Sequence, residues 1–153
     1  MSELNNAPTP EDPFGAVGFP IDVSIPSDLG LIERVVDIVS RQCASLSLAP
    51  RACNMSVPIA LTEAISNAIL YGNRQDRNKS VRVRATMDNG SLVLEVADQG
   101  AGFDLDACTR DPTQPENLDR EDGRGLFLMR SLMDRVERYH DGGNVVRLTL
   151  HRT

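Results

Sequence analysis

The sequence predicts an α+β fold: a two-layer α/β sandwich whose sheet is mixed or mostly antiparallel, with the helices on one face. Three segments repeat apolar residues at helical spacing, and five short segments have the alternating or β-branched composition of strands. Because most of these strands are half polar, one sheet face should meet the helices and the other should meet water. The chain has 153 residues, 41% of them hydrophobic, which is enough for one such domain.

The first elements are a strand and two helices. A short strand is predicted over residues 21–25. The first helix, capped by Ser27 or Asp28, continues to about Leu46, with apolar residues on one side. A proline then separates it from a second helix, which the apolar stripe places over residues 51–71.

A β-hairpin follows the second helix. Gly72-Asn73 ends the helix in the manner of a C-terminal cap. Apolar residues then alternate with polar ones over residues 81–87, which predicts a half-buried strand. Asn89-Gly90 is the strongest short hairpin signal and leads into a second strand over residues 92–97.

The last third of the chain combines an irregular stretch with regular elements. Residues 99–124 have no apolar period, and an irregular stretch of this length inside a compact domain is usually functional or disordered. A third helix is predicted over residues 126–133. A closing hairpin over residues 136–139 and 145–150 turns at residues 141–144.

Composition limits the class of protein. The net charge of −6 argues against a broad nucleic-acid surface, so no direct nucleic-acid partner is expected. Three scattered cysteines suit a reducing compartment, and no apolar run could span a bilayer, so we expect a cytoplasmic protein without membrane contact. Residues 1–19 are rich in Pro, Asn and acids and are expected to be a disordered tail preceding a domain over residues 20–153.

The second helix carries the first candidate functional pair. Glu63 and Asn67 are four residues apart, so they lie on the same helical face beside the apolar stripe. A carboxylate and a carboxamide together could bind an oxygen-coordinated cation such as Mg²⁺ and activate a hydroxyl group. The alternative is an ordinary polar pair on an exposed helix face.

Two glycine-containing segments add further candidates. Asp98 ends a strand and is followed by Gly100 and Gly102, which let the backbone approach a flat ligand while the carboxylate accepts from an amino group such as that of adenine. The alternative is a tight turn with an Asp cap.

The segment Gly123-Arg124-Gly125 opens the third helix, where backbone N–H groups and the helix dipole favour phosphates. The alternative is a simple loop-to-helix joint. Together the three segments compose one nucleotide pocket. The P-loop, Rossmann and protein-kinase signatures are absent from the sequence.

The three segments resemble a known family. The stretches LTEAISNAILYGN, VADQGAGF and EDGRGLFLMRSLMDRVE are similar to the N-box, G1 box and G2 box of the histidine-kinase-like (GHKL) ATPases. The short single-domain form resembles bacterial anti-sigma-factor serine/threonine kinases of partner-switching systems. In place of a histidine that many relatives carry after the N-box, this chain has Tyr71, and its Thr-poor lid has only Thr109 and Thr113.

The resemblance implies roles for individual residues. Asn67 would be the Mg²⁺ ligand and Glu63 the base that receives the proton of an attacking serine. Asp98 would accept from the adenine amino group of ATP. Gly100 and Gly102 would shape the adenine pocket, Gly123, Arg124 and Gly125 would frame the phosphates, and residues 104–122 would be the ATP lid.

The same resemblance implies partners. Such kinases phosphorylate a STAS-domain antagonist, sequester a sigma factor in the other state, and typically form homodimers. Two alternatives stay open: a nucleotide-gated sequestering protein without phosphotransfer, and a detached histidine-kinase catalytic domain. Arg34 and Arg41, on the polar side of the first helix, are candidate contacts for a sigma factor; the alternative is that both simply face solvent.

Overall fold

A computed structural model describes residues 20–46, 48–100 and 121–151; for residues 121–123 it describes the backbone alone. The predicted N-terminal tail, Cys108, Gly102 and residues 104–120 of the predicted lid lie outside these ranges. The described part forms one five-stranded sheet in the order β1-β2-β3-β5-β4, and each neighbouring pair is antiparallel. The strands are β1 (Ile21–Pro26), β2 (Ser80–Asp88), β3 (Ser91–Ala97), β4 (Arg135–His140) and β5 (Asn144–His151).

Within the described residues three α-helices accompany the sheet: α1 (Ile32–Cys43), α2 (Val57–Asn67) and α3 (Glu121–Leu132). Of the two predicted caps, Asp28 caps the short 3₁₀ turn before α1, its side chain accepting a hydrogen bond from Gly30 N at 2.9 Å. The α-helix itself starts after Leu31 without a side-chain cap. The second predicted helix is α2 together with π-helical turns at Ala52–Ser56 and Ala68–Gly72. None of the described helices has the length and apolar content that crossing a membrane requires.

The core lies between the helices and one face of the sheet. Strand alternation places alternate apolar side chains on that face, and register brings Val83 opposite Val96 and Leu94 opposite Leu148. All four are at most 1% exposed, as are Leu61 and Ile65 from α2. Cys43 and Cys53 are buried and free, and they pack as small apolar residues in this core. The predicted α+β class and the one-sided placement of the helices are therefore confirmed.

The outer sheet face is polar. Glu95 on β3 accepts hydrogen bonds from Arg147 on β5, at 2.8 and 3.0 Å, and from the Tyr139 hydroxyl at 2.9 Å. Burial raises the pKa of Glu95, but these bonds and the positive charge of Arg147 outweigh it and hold the pKa below its ordinary 4.5. Arg82 pairs with Asp22 across β1 and β2, and both side chains are about half exposed.

One predicted boundary is wrong at the third helix. α3 begins at Glu121 rather than at residue 126, so the last two residues of the predicted lid are helical. Gly123-Arg124-Gly125 accordingly lies within the first turns of the helix that it was predicted to open, and not in a loop-to-helix joint. Glycine has poor helix propensity, and close packing of α3 on α2 at this point explains why a glycine-rich segment is nevertheless helical.

Candidate functional site

The first and third candidate segments meet where α3 packs on α2. A Cβ atom built on Gly125 would lie 2.9 Å from Glu63 Oε2 and 3.0 Å from Asn67 Nδ2. The Asn67 side-chain oxygen would be 3.7 Å from the same point. Only a residue without a side chain allows the start of α3 to lie this close to the two polar groups. Residues separated by about 60 positions in the sequence thus form one polar cluster.

The α3 end of this cluster favours anions. Amide groups in the first turn of an α-helix have no intrahelical acceptor, and the helix dipole adds partial positive charge there. Glu121, Asp122, Gly123 and Arg124 supply those first amides, and the Arg124 side chain is exposed. The segment thus forms a helix start, as predicted, and its free amides suit an anionic group.

The second candidate segment forms a separate polar centre around Asp98. This carboxylate is 7% exposed and directly follows β3. Its Oδ1 atom accepts from Gly100 N at 2.8 Å and from Asn144 N and Nδ2 at 3.2 and 3.1 Å. Its Oδ2 atom has a longer contact, 3.4 Å, with Asn144 Nδ2. Three of these four hydrogen bonds go to Oδ1, and together they fix the orientation of the Asp98 carboxylate.

Three glycines allow this centre to be compact. A Cβ atom on Gly72 would lie 1.9 Å from Asp98 Oδ2, and one on Gly143 would lie 2.0 Å from the backbone oxygen of Asp98. A Cβ atom on Gly100 would lie 2.1 Å from Gly72 O. Each glycine is therefore required by close approach of backbone or carboxylate. The π-helical turn after α2, the end of β3 and the start of β5 converge on Asp98.

The two centres are connected through the end of α2. Asn67 and Gly72 are five residues apart, separated by the π-helical turn Ala68–Gly72. At a helical rise of about 1.5 Å per residue this separation is roughly 7 Å along the axis. Single π-helical turns of this kind are frequent at functional sites. The arrangement suits an elongated ligand with a flat, amino-bearing end near Asp98 and an anionic end near Asn67 and Gly125.

Two further residues of this site are asparagines. The sequence predicts only a helix cap for Asn73 and a turn position for Asn144, yet they are 1% and 5% exposed. Asn144 donates to Asp98, and Asn73 joins the segment after β3 by accepting from Gln99 N at 2.8 Å. Asn73 follows Gly72, Asn144 follows Gly143, and both glycines pack closely against Asp98. An asparagine directly after a glycine is thus the sequence feature that could have pointed to these two residues. Gly102 lies outside the described residues.

These features define a class of protein. The Histidine kinase-like ATPase domain family matches residues 25–150, and the chain belongs to that family. This confirms the resemblance drawn from the three motifs.

Individual relatives narrow the comparison. The chain is 34% identical over 96 residues to "Serine-protein kinase RsbW" of Bacillus subtilis (strain 168) and 31% identical over 96 residues to the protein of that name in Listeria monocytogenes. These alignments cover 60% of this chain and 60% or 61% of the relatives. The matched segment thus spans about three fifths of each curated relative.

Solved structures share the fold. A structure of the RsbU and RsbW domains of Rv1364c from Mycobacterium tuberculosis superposes with a TM-score of 0.64 at 18% identity, covering 90% of this chain and 33% of that one. The catalytic domain of histidine kinase ThkA gives a TM-score of 0.56 at 12% identity, covering 86% of this chain and 97% of that domain. At such identities the likeness concerns the fold alone.

Proposed function

We propose that this protein is an ATP-dependent serine/threonine kinase that phosphorylates a STAS-domain antagonist and, in its other state, sequesters a sigma factor as a cytoplasmic, homodimeric anti-sigma factor. One observation carries the proposal: a carboxylate, Glu63, lies beside Asn67 directly under the start of α3, in a domain of the histidine-kinase-like ATPase family. The relatives named serine-protein kinases support the choice of a serine acceptor.

The Asp98 centre suits an adenine base. A carboxylate held by Gly100 N and by Asn144 accepts a hydrogen bond from an amino group without having to reorient. The glycines around it, Gly72 and Gly100, let the backbone pack closely on Asp98 and so keep the carboxylate in one position. Gly102 is proposed to extend the same wall.

The Asn67 centre suits Mg²⁺ and phosphate. Carboxamide and carboxylate oxygens are hard ligands, and Mg²⁺ takes few of them because it retains water and phosphate oxygens. Asn67 would hold the ion, which when bound would neutralise negative charge on the phosphates. Gly123, Arg124 and Gly125 would frame the phosphates with the free amides of the first turn of α3.

Glu63 would act on the acceptor hydroxyl. The serine oxygen forms a bond to the γ-phosphorus while the bond from that phosphorus to the β–γ bridging oxygen breaks, and ADP leaves. The serine proton passes to the Glu63 carboxylate. Phosphoryl transfer depends mainly on positioning and electrostatic stabilisation, so a small rigid site with one base suffices.

The test is direct phosphotransfer. The purified chain is incubated with Mg-ATP labelled on the γ-phosphate and with a STAS-domain protein encoded beside it, and phosphoserine is located by mass spectrometry. We expect one phosphorylated serine and none in a STAS variant with alanine at that position. ATP binding without transfer would instead support a nucleotide-gated sequestering protein, and phosphohistidine on a partner would support a detached histidine-kinase domain.

Gly125→Ala should separate stability from function. Alanine at a helix position gains about 0.5–1 kcal/mol over glycine. The new Cβ would lie 2.9 Å from Glu63 Oε2, so the Glu63 carboxylate must move. Because misplacement of about 1 Å costs on the order of 10²-fold, we expect transfer to fall to that extent with an unchanged or slightly raised Tm.

The matched control is Ser131→Ala, on the exposed side of the same helix. Thermal unfolding and initial transfer rates measure both quantities. A Gly125→Ala protein with wild-type transfer would contradict the assignment of Glu63 and Asn67 to the reacting centre.

A further inference from the structure

We propose that Asn73 is a positioning residue that holds Asp98 in register with the helix carrying Asn67, and so sets the preference of the site for adenine over guanine nucleotides. The inference rests on the proposed nucleotide-binding function and assigns a determinant of its selectivity. Asn73 is not placed against the nucleotide; it acts through the peptide that follows Asp98.

Asn73 is a buried side chain with three defined bonds. Its Oδ1 accepts from Gln99 N at 2.8 Å, and its Nδ2 donates to Ser27 Oγ and to Ser80 O, both at 2.9 Å. Gln99 N can only donate and Ser80 O can only accept, so the partners dictate which way the amide faces. At 1% exposure, no water competes for these groups. Asn73 therefore connects the end of the π-helical turn after α2 to β2 and to the segment after β3.

The bond to Gln99 N acts on Asp98 because the two residues share a peptide bond. On its other side Asp98 is held by β5, where Asp98 N donates to Asn144 O at 2.9 Å. Asn73 thus supplies the restraint from the α2 side, and Asn144 supplies the one from β5. Gln99 also accepts from Ser80 N through Oε1, at 2.7 Å, so the segment is anchored to β2 as well.

The packing around the segment after β3 allows it little movement relative to Gly72. Gly72 precedes Asn73, and a Cβ on Gly72 would lie 1.9 Å from Asp98 Oδ2. The ideal Cβ of Gly100 would lie 2.1 Å from Gly72 O. The end of α2 and the segment after β3 are therefore in direct backbone contact. A shift of about 1 Å between them would move the carboxylate relative to Asn67 by a comparable distance.

Such a shift should change the selectivity of the site for adenine over guanine. Adenine offers an amino group at the ring position where guanine has a carbonyl oxygen, and a fixed carboxylate attracts the first and repels the second. Sites built around such a hydrogen bond discriminate strongly because the wrong ligand leaves a buried polar group unpaired. A carboxylate that can move relaxes this discrimination, whereas contacts to the phosphates at Asn67 and Gly125 are unaffected.

The experiment compares affinities of the full chain and its variants for Mg-ATP, Mg-GTP and Mg-tripolyphosphate by calorimetry, alongside thermal unfolding. For Asn73→Ala we expect the ATP Kd to rise about tenfold or more and the ratio of GTP to ATP Kd to fall by a similar factor. The Kd for tripolyphosphate, which has no base, should stay within about twofold of the wild-type value. Asn78→Ala, an exposed asparagine of the same loop, should change none of these values.

Ser27→Ala separates selectivity from stability. It removes one acceptor of Asn73 Nδ2 and the hydroxyl that donates to Lys79 O at 2.7 Å, but leaves the bond to Gln99 N. We expect a lower Tm with the GTP-to-ATP ratio of the wild type. If Asn73→Ala also lowers Tm and keeps that ratio, Asn73 is only structural and the proposal is overturned.

Two further outcomes have definite meanings. Should Asn73→Ala not fold, Asn73→Ser, whose hydroxyl is too short to replace all three bonds, is measured in its place and interpreted by the same ratio. If the wild-type chain binds Mg-ATP no more tightly than Mg-tripolyphosphate, the adenosine part adds no affinity. That result would overturn the proposed base site itself, whatever the variants of Asn73 show.

Discussion

Replacing Glu63 with glutamine is expected to lower the rate of serine phosphorylation by about 10²–10⁴-fold while ATP affinity stays within about threefold. Glutamine has nearly the same shape, so the packing of Gly125 on this side chain is retained. It cannot accept the proton of the attacking hydroxyl, however. Single-turnover transfer to the STAS protein measures the chemical step, and calorimetry measures ATP binding.

The matched control is Glu33→Gln, an acidic residue in the first turn of α1 and exposed to solvent. This substitution removes one negative charge, as Glu63→Gln does, but at a position away from Asn67 and Gly125. The rate of phosphotransfer and the affinity for ATP should therefore both be unchanged. A Glu63→Gln protein with more than about a tenth of wild-type transfer would show that another group takes the proton.

Replacing Gly72 with alanine is expected to abolish detectable ATP binding, a loss of at least about 10²-fold, and to reduce the free energy of unfolding by about 1–3 kcal/mol. The added Cβ would lie 1.9 Å from Oδ2 and 2.3 Å from Cγ of Asp98. Asp98 cannot simply turn away, because Gly100 N and Asn144 hold its other oxygen. Calorimetric titration and chemical denaturation measure the two effects.

Gly90→Ala provides a comparison with similar loss of stability. Gly90 has φ +81°, and an added Cβ would meet no atom within 4 Å, so its cost is backbone strain of about 1–2 kcal/mol. This hairpin turn lies at the end of β3 opposite to Asp98. ATP affinity should therefore be retained. If Gly72→Ala bound ATP as well as Gly90→Ala does, the Asp98 centre would not be the base site.

The regular elements could be predicted closely because periodicity is a local property. The strand at residues 81–87 became β2 over Ser80–Asp88, and Asn89-Gly90 forms the expected turn with positive φ at both residues. The start of α3 could not be predicted. Glycines at residues 123 and 125 argue for a loop by intrinsic propensity, and contact with Glu63 and Asn67 on α2 overrides that preference.

The same division applies to the candidate site. Glu63 and Asn67 could be paired from their spacing alone, since four residues on a helix share a face. Asn73 and Asn144 could not be assigned, because their partners lie 26 residues away at Gln99 and 46 residues away at Asp98. In the sequence both asparagines are typical turn residues. In the structure their side chains hold Asp98 and the segment that follows it.

The sequence by itself determined the α+β class, the order of the elements and the three motifs, because apolar period, capping residues and turn residues act over a few neighbouring positions. Only the tertiary structure decided that Gly125 covers Glu63 and Asn67, that Gly72, Gly100 and Gly143 crowd Asp98, and that two asparagines hold it. The physical reason is that steric approach and buried hydrogen bonds depend on how segments distant in sequence meet in space.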